Sequence, residues 1–168
     1  MEKQVFDVAV IGSGPGGYSA AIRAASYGRS VALIEEKQLG GVCLNVGCIP
    51  TKTLVARADM LRKVKKAASY GIRIDSHSID FGQMQQGKNV VVDNMRLSLG
   101  QLINKHGVTV INGRAQFTSP QELKVIGEKN MILEAAKIII ATGSIPFDVP
   151  SFPCDHKKIL NSTSALEL

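Results

Sequence analysis

Val5-Phe6-Asp7-Val8-Ala9-Val10-Ile11-Gly12-Ser13-Gly14-Pro15-Gly16-Gly17 is the stretch on which the fold turns. Residues 5–11 are a nearly continuous apolar run, the pattern of a strand buried on both faces. The run breaks into a turn built largely of glycine. Residues 18–27 are alanine-rich and helical in composition, and Gly28 stops them. Residues 31–35 form a second apolar strand. Strand, turn, helix and strand within about 30 residues predict a βαβ crossover.

The turn fits G-x-G-x-x-G at Gly12, Gly14 and Gly17. The first glycine permits the tight turn, the second lets a pyrophosphate approach the backbone, and the third lets helix and strand pack closely. The following helix start offers N–H groups and a positive dipole end to phosphates. Glu35 closes the second strand about 20 residues on, where a ribose hydroxyl would be bound. Its neighbour Glu36 is out of register and has the alternative of being a solvated loop acid. The pattern alone would be weak, since a glycine-rich turn can exist without a ligand. Strand before, helix after and an acid at the right distance favour a dinucleotide site.

Further along, residues 51–68 place Leu54, Val55, Ala58, Leu61, Val64 and Ala68 on one helical face. Residues 71–78 are a polar connector. Residues 81–105 predict a second long helix with Met84, Val91, Met95 and Leu102 inward and Gly87 as a candidate kink. Short runs at 108–111, 115–117, 122–126 and 131–133 predict strands separated by turns at 119–120 and 127–130. Residues 137–140 predict a final buried strand, closing in Ala141-Thr142-Gly143-Ser144. A small-residue turn at that end of a strand is where ligands lie in open α/β sheets. The expected fold class is α/β: a Rossmann-like domain with a parallel sheet, long helices and a small antiparallel β-meander. The tail beyond Pro146 has the composition of a linker.

The bulk numbers agree with this class. The chain has 168 residues, 45% hydrophobic and 20% charged, enough for one domain with a real core. No apolar run is long enough to span a bilayer. No targeting segment is visible, so the expected compartment is the cytoplasm. The net charge of +6 gathers partly in Arg57, Arg62, Lys63, Lys65 and Lys66 on one helical stretch. With 5% aromatic content and no Trp, that stretch is a solvated face rather than a nucleic-acid surface. His77, His106 and His156 fall in predicted loops or at a helix end and take no metal-ligand spacing with the cysteines. Cys154, among prolines, reads as an incidental loop thiol.

The other two cysteines lie in Gly40-Gly41-Val42-Cys43-Leu44-Asn45-Val46-Gly47-Cys48-Ile49-Pro50-Thr51-Lys52. Their loop could close a disulfide. A loop so short gains little chain entropy from the bond, so it would be a poor staple. Two readings stand: a reversible redox couple beside a flexible glycine pair, or two buried apolar thiols.

This stretch, the Gly12–Gly17 turn, Glu35 and Ala141-Thr142-Gly143-Ser144 together resemble one family, the pyridine-nucleotide disulfide oxidoreductases. Leu44 and Ile49 are similar to the lipoamide branch, whereas glutathione and mercuric reductases usually carry valine there. Thr51 departs from that branch's serine but keeps a hydroxyl. The segment Ile159-Leu160-Asn161-Ser162-Thr163-Ser164-Ala165-Leu166-Glu167-Leu168 is similar to the one preceding the family's NAD domain. The resemblance covers essentially the whole chain and implies the N-terminal part of a longer flavoprotein. Residues 1–150 would be an incomplete FAD-binding domain and 151–168 an exit linker. The NAD domain, a returning FAD segment and a dimerisation domain carrying a His–Glu pair would lie outside this chain.

The resemblance implies FAD contacts at Gly12, Ser13, Gly14, Pro15, Gly16, Gly17, Glu35, Glu36, Gly41, Val42, Cys43, Cys48, Lys52, Ala115, Ala141, Thr142 and Gly143. It implies a catalytic pair in Cys43, which would exchange with substrate and be the exposed thiol, and Cys48, the sheltered thiol on the flavin side. The thiolate is the nucleophile in such chemistry, and a helix start with Lys52 nearby favours it. Lys52 would sit near the flavin and tune its electronics. The implied activity is oxidation of protein-bound dihydrolipoamide with NAD⁺. The implied partner is a lipoyl domain of a 2-oxoacid dehydrogenase or glycine cleavage complex, with a homodimer when full-length. The alternatives are an NADPH-dependent disulfide or mercuric reductase of the same family and a non-catalytic flavin-binding module.

Overall fold

The two apolar runs flanking the glycine turn become neighbouring parallel strands. In the computed structural model, which describes residues 2–168, β1 (Glu2–Ile11) pairs with β2 (Val31–Glu35) in the register Val8↔Val31 to Ile11↔Ile34. α1 (Pro15–Ser26) makes the crossover. Pro15 suits its first position, where a missing N–H and a fixed φ cost nothing.

Four more strands complete a six-stranded sheet in the order β3-β2-β1-β6-β5-β4. They are β3 (Thr109–Asn112), β4 (Arg114–Ser119), β5 (Glu122–Ile126) and β6 (Met131–Ile140). β3, β2, β1 and β6 are parallel, and β6, β5 and β4 form an antiparallel meander. The expected α/β arrangement is the one observed. β6 corrects one detail, because the expected strands 131–133 and 137–140 are a single strand. Its pairing with β1 runs from Glu2↔Met131 to Ile11↔Ile140. Glu134 breaks the hydrophobic pattern but not the backbone. It sits beside Lys3 of β1, with Nζ 2.6 Å from Oε1.

Burial on both faces holds for β2, where Val31, Ala32, Leu33 and Ile34 are all buried. It fails elsewhere. Val5 of β1 is 69% exposed and Ile140 of β6 is 66% exposed. The core cluster of Ala9, Ala32, Ile34, Leu123, Val125, Leu133 and Ala135 lies where the parallel strands meet the meander. Phe6 of β1 and Met131 and Ile138 of β6 pack against it, while Val5 and Ile140 point away from it into solvent.

The chain divides into two compact units. One holds the residues up to Asn45 together with Met95–Ile145, and so the whole sheet. The other holds Val46–Asn94 and Pro146–Leu168. The short helix α2 (Gly41–Val46) is followed by α3 (Cys48–Lys66), and α4 spans Phe81–Lys105. α2 lies in a stretch expected as a loop.

α3 turns Pro50, Leu54, Arg57, Leu61 and Val64 inward, while Val55, Ala58 and Ala68 are exposed. α4 buries Lys88, Val92, Leu99 and Ile103. The expected inward residues Val91, Met95 and Leu102 are exposed instead, and Met84 is half-buried. Apolar residues occupy both candidate stripes of α4. The stripe that is buried passes through Lys88 and Arg96, which hid it from a hydrophobic pattern. Gly87 lies inside a continuous helix. A Cβ there would collide with the Arg57 guanidinium, which donates to Met84 O. A side chain at 87 would therefore have to displace the flexible end of Arg57.

The tail groups with 46–94 and carries a 3₁₀ turn, Ser164–Leu166. The buried Lys88 donates from Nζ to Leu166 O at 2.6 Å.

Candidate functional site

The glycine turn separates into two kinds of glycine. Gly12 has φ +95°, and a Cβ there would strike Ala141 O. Gly17 lies so close to β1 that a Cβ would strike Gly12 O. Both are demanded by the protein's own packing. Gly14 and Gly16 are not. Gly14 has an ordinary φ of −64°, and a Cβ there would meet only Gly41 Cα at 3.9 Å. A Cβ on Gly16 would meet nothing within 4 Å. Glycine at 14 leaves a cradle that a side chain would fill, at the start of a helix whose first amides lack intrahelical partners. These features fit a pyrophosphate.

Glu35 faces the same turn. Its Oε2 accepts from Ser13 N at 2.9 Å and from Ser13 Oγ at 2.6 Å, and its Oε1 accepts from Lys37 N at 2.9 Å. Lone pairs remain on the carboxylate for a ribose hydroxyl. Ser13, expected as a flavin contact, is fully buried. Gly40 N donates to Ser13 O at 3.1 Å and to Ser13 Oγ at 3.2 Å. The hydroxyl therefore orients Glu35 and ties the glycine turn to the loop before α2. Pro15 is exposed at the start of α1. Glu36 is exposed, with Oε2 4.0 Å from Arg114 Nε.

Ala141 N donates to Ile11 O at 2.8 Å, which brings the end of β6 beside the turn. Thr142 and Gly143 are exposed there, and Gly143 has φ +71°. Ala115 is half-buried in β4 and packs against the core. Gly113, just before β4, donates from N to Glu35 O at 2.8 Å.

Gly41 reaches the turn from the other side. A Cβ on it would lie 2.6 Å from Gly14 Cα, and its φ is +60°. Val42 is exposed, Cys43 half-buried and Leu44 buried. Cys43 does not ride on a mobile loop. The Asn45 amide donates to Gly41 O at 2.9 Å and to Leu39 O at 3.0 Å. Asn45 Oδ1 accepts from Arg96 Nε at 3.0 Å and from Nη2 at 2.9 Å. Sequence reasoning missed Asn45 and Arg96 as a pair. Nothing in a one-dimensional pattern joins residues 51 positions apart.

In the other unit, Cys48 is the first residue of α3, after Gly47. Lys52 is one helical turn further on, on the same side of the helix. Both are exposed. In the chain alone Cys48 is exposed and Cys43 half-buried, both as thiols, whereas the resemblance implies a Cys48 sheltered by the flavin. The cause is local. Leu44 is buried and Asn45 is tied to its own loop, so α2 is packed down, whereas Cys48 is the exposed first residue of α3. The third thiol, Cys154, has its Sγ 3.4 Å from His156 Nδ1, a pairing the sequence reading did not anticipate. Asp155 between them accepts backbone N–H bonds from Ile159, Lys157 and Lys158, which hold its carboxyl below the usual carboxylate range. Among the described residues, no three His, Cys, Asp or Glu side chains gather as a metal site. No helix there is long and apolar enough to cross a membrane.

The family model for pyridine nucleotide-disulphide oxidoreductase matches residues 6–168. The chain belongs to that family. Among its oxidoreductase relatives, the dihydrolipoyl dehydrogenase of Chlamydia pneumoniae is 47% identical over 165 residues, covering 98% of this chain and 36% of the relative. That of Bacillus subtilis is 43% identical over 164 residues, covering 96% and 36%. A solved structure, the Cu(II) complex of a mutant of the HOCl-induced flavoprotein disulfide reductase RclA from Escherichia coli, superposes with a TM-score of 0.79 at 32% identity. It covers 100% of this chain and 35% of that one. The chain thus spans about a third of the length of these relatives. Family and flavoprotein neighbour imply FAD, and the cradle at Gly14 with the Glu35 carboxylate has the shape and donor set for its dinucleotide.

Proposed function

We propose that this chain holds the FAD nucleotide and the dithiol of an enzyme that oxidises protein-bound dihydrolipoamide with NAD⁺. The observation that carries the reading is the pair Gly14 and Gly16, whose lack of a side chain no protein contact requires, beside a carboxylate aimed into the same turn. Identities of 43–47% to dihydrolipoyl dehydrogenases support the substrate class.

In this reading Gly12, Gly14, Pro15, Gly16 and Gly17 shape the pyrophosphate cradle. Glu35 takes a ribose hydroxyl, and Ser13 keeps it oriented. Ala141, Thr142, Gly143 and Ala115 line the remaining approach, and Lys52 lies on the flavin side of the dithiol. Cys43 and Cys48 alternate between dithiol and disulfide. A substrate thiolate attacks the Cys43 sulfur of the disulfide, the Cys43–Cys48 bond breaks, and Cys48 leaves as a thiolate. The second substrate thiol then attacks the mixed disulfide and displaces Cys43. The substrate leaves as a cyclic disulfide, two electrons poorer, and the protein pair is reduced. Bound FAD would supply the two-electron acceptor for the reduced pair, with NAD⁺ as the final oxidant of the full-length enzyme. The partner is a lipoyl domain of a 2-oxoacid dehydrogenase or glycine cleavage complex, and the working form is a cytoplasmic homodimer.

A second reading, an NADPH-dependent disulfide reductase, draws on the reductase neighbour at 32% identity. The test is steady-state turnover of the full-length protein. NAD⁺ reduction driven by dihydrolipoamide is the expected result. NADPH oxidation driven by a disulfide or mercuric ion, with no dihydrolipoamide activity, overturns the proposal in favour of the second reading.

A further inference from the structure

The turn that carries Cys43 is held from a distant helix. Cys43 lies in α2 between Gly41 and Asn45, and each of these is pinned. Gly41 backs onto Gly14, where a Cβ would come within 2.6 Å of Gly14 Cα. Leu44 is only 7% exposed, and it crowds Gly40, where a Cβ would meet Leu44 Cδ1 at 2.5 Å. Asn45 spends its amide donors on Leu39 O and Gly41 O, closing the loop onto the first residue of α2. Its Oδ1 is gripped by two donors of Arg96. Arg96 is itself held, being half-buried on the α4 stripe that continues into Leu99 and the fully buried Ile103. Independently, Gly100, one turn on, lies against the same loop, since a Cβ there would sit 3.7 Å from Leu39 Cδ1.

We infer that Arg96 is a positioning residue for the Cys43 thiol, acting through Asn45. The fork of Arg96 fixes which way the Asn45 amide faces. The amide in turn fixes the loop 38–41 and the first turn of α2. An arginine suits this because its donors are rigidly arranged, whereas a lysine would offer a single mobile point. An asparagine suits it because it accepts on one side and donates on the other. Neither residue need touch substrate. Their contribution is to present Cys43 in one orientation for sulfur exchange.

The kinetic arm of the test rests on the dithiol reading proposed above, and a second arm does not. In the full-length protein, Arg96→Gln, Arg96→Lys, Asn45→Ala and Asn45→Asp are compared. Asn45→Asp keeps an acceptor for Arg96 but loses the donors to Leu39 and Gly41. Iodoacetamide labelling of the reduced protein, followed by mass spectrometry, reads each cysteine separately. The expected result is labelling of Cys43 faster by about threefold or more in all four variants, with Cys48 and Cys154 unchanged, because only α2 is loosened. The kcat for dithiol oxidation falls about tenfold with KM unchanged, as for a lost orientation. The double variant Asn45→Ala with Arg96→Gln is no worse than either alone, since both cut one chain of contacts. Labelling of Cys43 unchanged within about twofold overturns the inference. So does a uniform rise at all three cysteines, which reports general loosening. Inactivity of the wild type toward dihydrolipoamide defeats the dithiol reading, while the labelling arm still decides the role of Arg96.

Discussion

The Ser13 hydroxyl donates to Glu35 Oε2 at 2.6 Å, and the Ser13 N–H donates to the same oxygen at 2.9 Å, across 22 residues of sequence. A buried serine in the glycine turn thus sets the direction of the acid that closes β2. It leaves Glu35 a carboxylate with capacity for one more donor on its outer side. Glu36, one residue on, has no such anchor in the turn.

Replacing Glu35 with alanine is expected to weaken flavin binding in the intact protein by about 1–3 kcal/mol, the range for a hydrogen bond to a charged group. Ser13→Ala should cost less, about 1 kcal/mol, because the carboxylate remains but loses its orientation. Glu36→Ala should change little. Titration of apoprotein with FAD measures all three, and equal losses from the two glutamate variants would show that the register is wrong.

Gly17→Ala is expected to act on stability rather than on binding alone. Its Cβ would run into Gly12 O, so helix and strand must separate, at about 1–3 kcal/mol for an overpacked site. Thermal unfolding checks this. A variant as stable as the wild type would mean that α1 and β1 are further apart than the structure has them.

Cys48 is exposed and Cys43 half-buried, so a small alkylating agent should modify Cys48 before Cys43 in the reduced protein stripped of flavin. Timed labelling with peptide mapping reads the order. Cys43 reacting first in that flavin-free form would mean that exposure does not govern reactivity at this pair.

Much of this was legible in the sequence because it is local. The strand, the glycine turn, α1 and Glu35 follow each other within one βαβ unit, where period and spacing suffice. What was missed depends on contacts between segments far apart in the chain. α2 is too short to show a period, and its helical turn is held by Asn45 and Arg96, 51 positions apart. The inward face of α4 was misread because Lys88 and Arg96, polar residues, occupy it. Lys88 donates to the Leu166 carbonyl and Arg96 to Asn45, so their burial satisfies hydrogen bonds that hydrophobicity does not register. The two expected strands at 131–133 and 137–140 are one because β6 pairs with β1 along its length, from Glu2↔Met131 to Ile11↔Ile140, a backbone ladder that a hydrophobic pattern does not register.

Asp7 supplies a pH test. Its Oδ2 accepts from Ser30 N at 2.8 Å and from Ser30 Oγ at 2.9 Å, and these bonds hold its carboxyl below the ordinary value of 3.8. A carboxyl depressed in the folded state binds its proton more readily when unfolded. Its contribution is therefore present above pH 3.8 and is lost as pH falls from there through the lower folded value. Acid unfolding should show a shallower fall over that window in Asp7→Asn than in the wild type. Identical acid limbs would contradict the assignment.

The central claim is that the open space at Gly14 exists for a dinucleotide. Its most direct test is the flavin content of purified full-length Gly14→Val, read from visible absorbance against protein concentration, with circular dichroism confirming an unchanged fold. The account predicts stoichiometric flavin in the wild type and none in the variant, because the added side chain takes the place of the pyrophosphate. A folded Gly14→Val protein that retains stoichiometric flavin would contradict it.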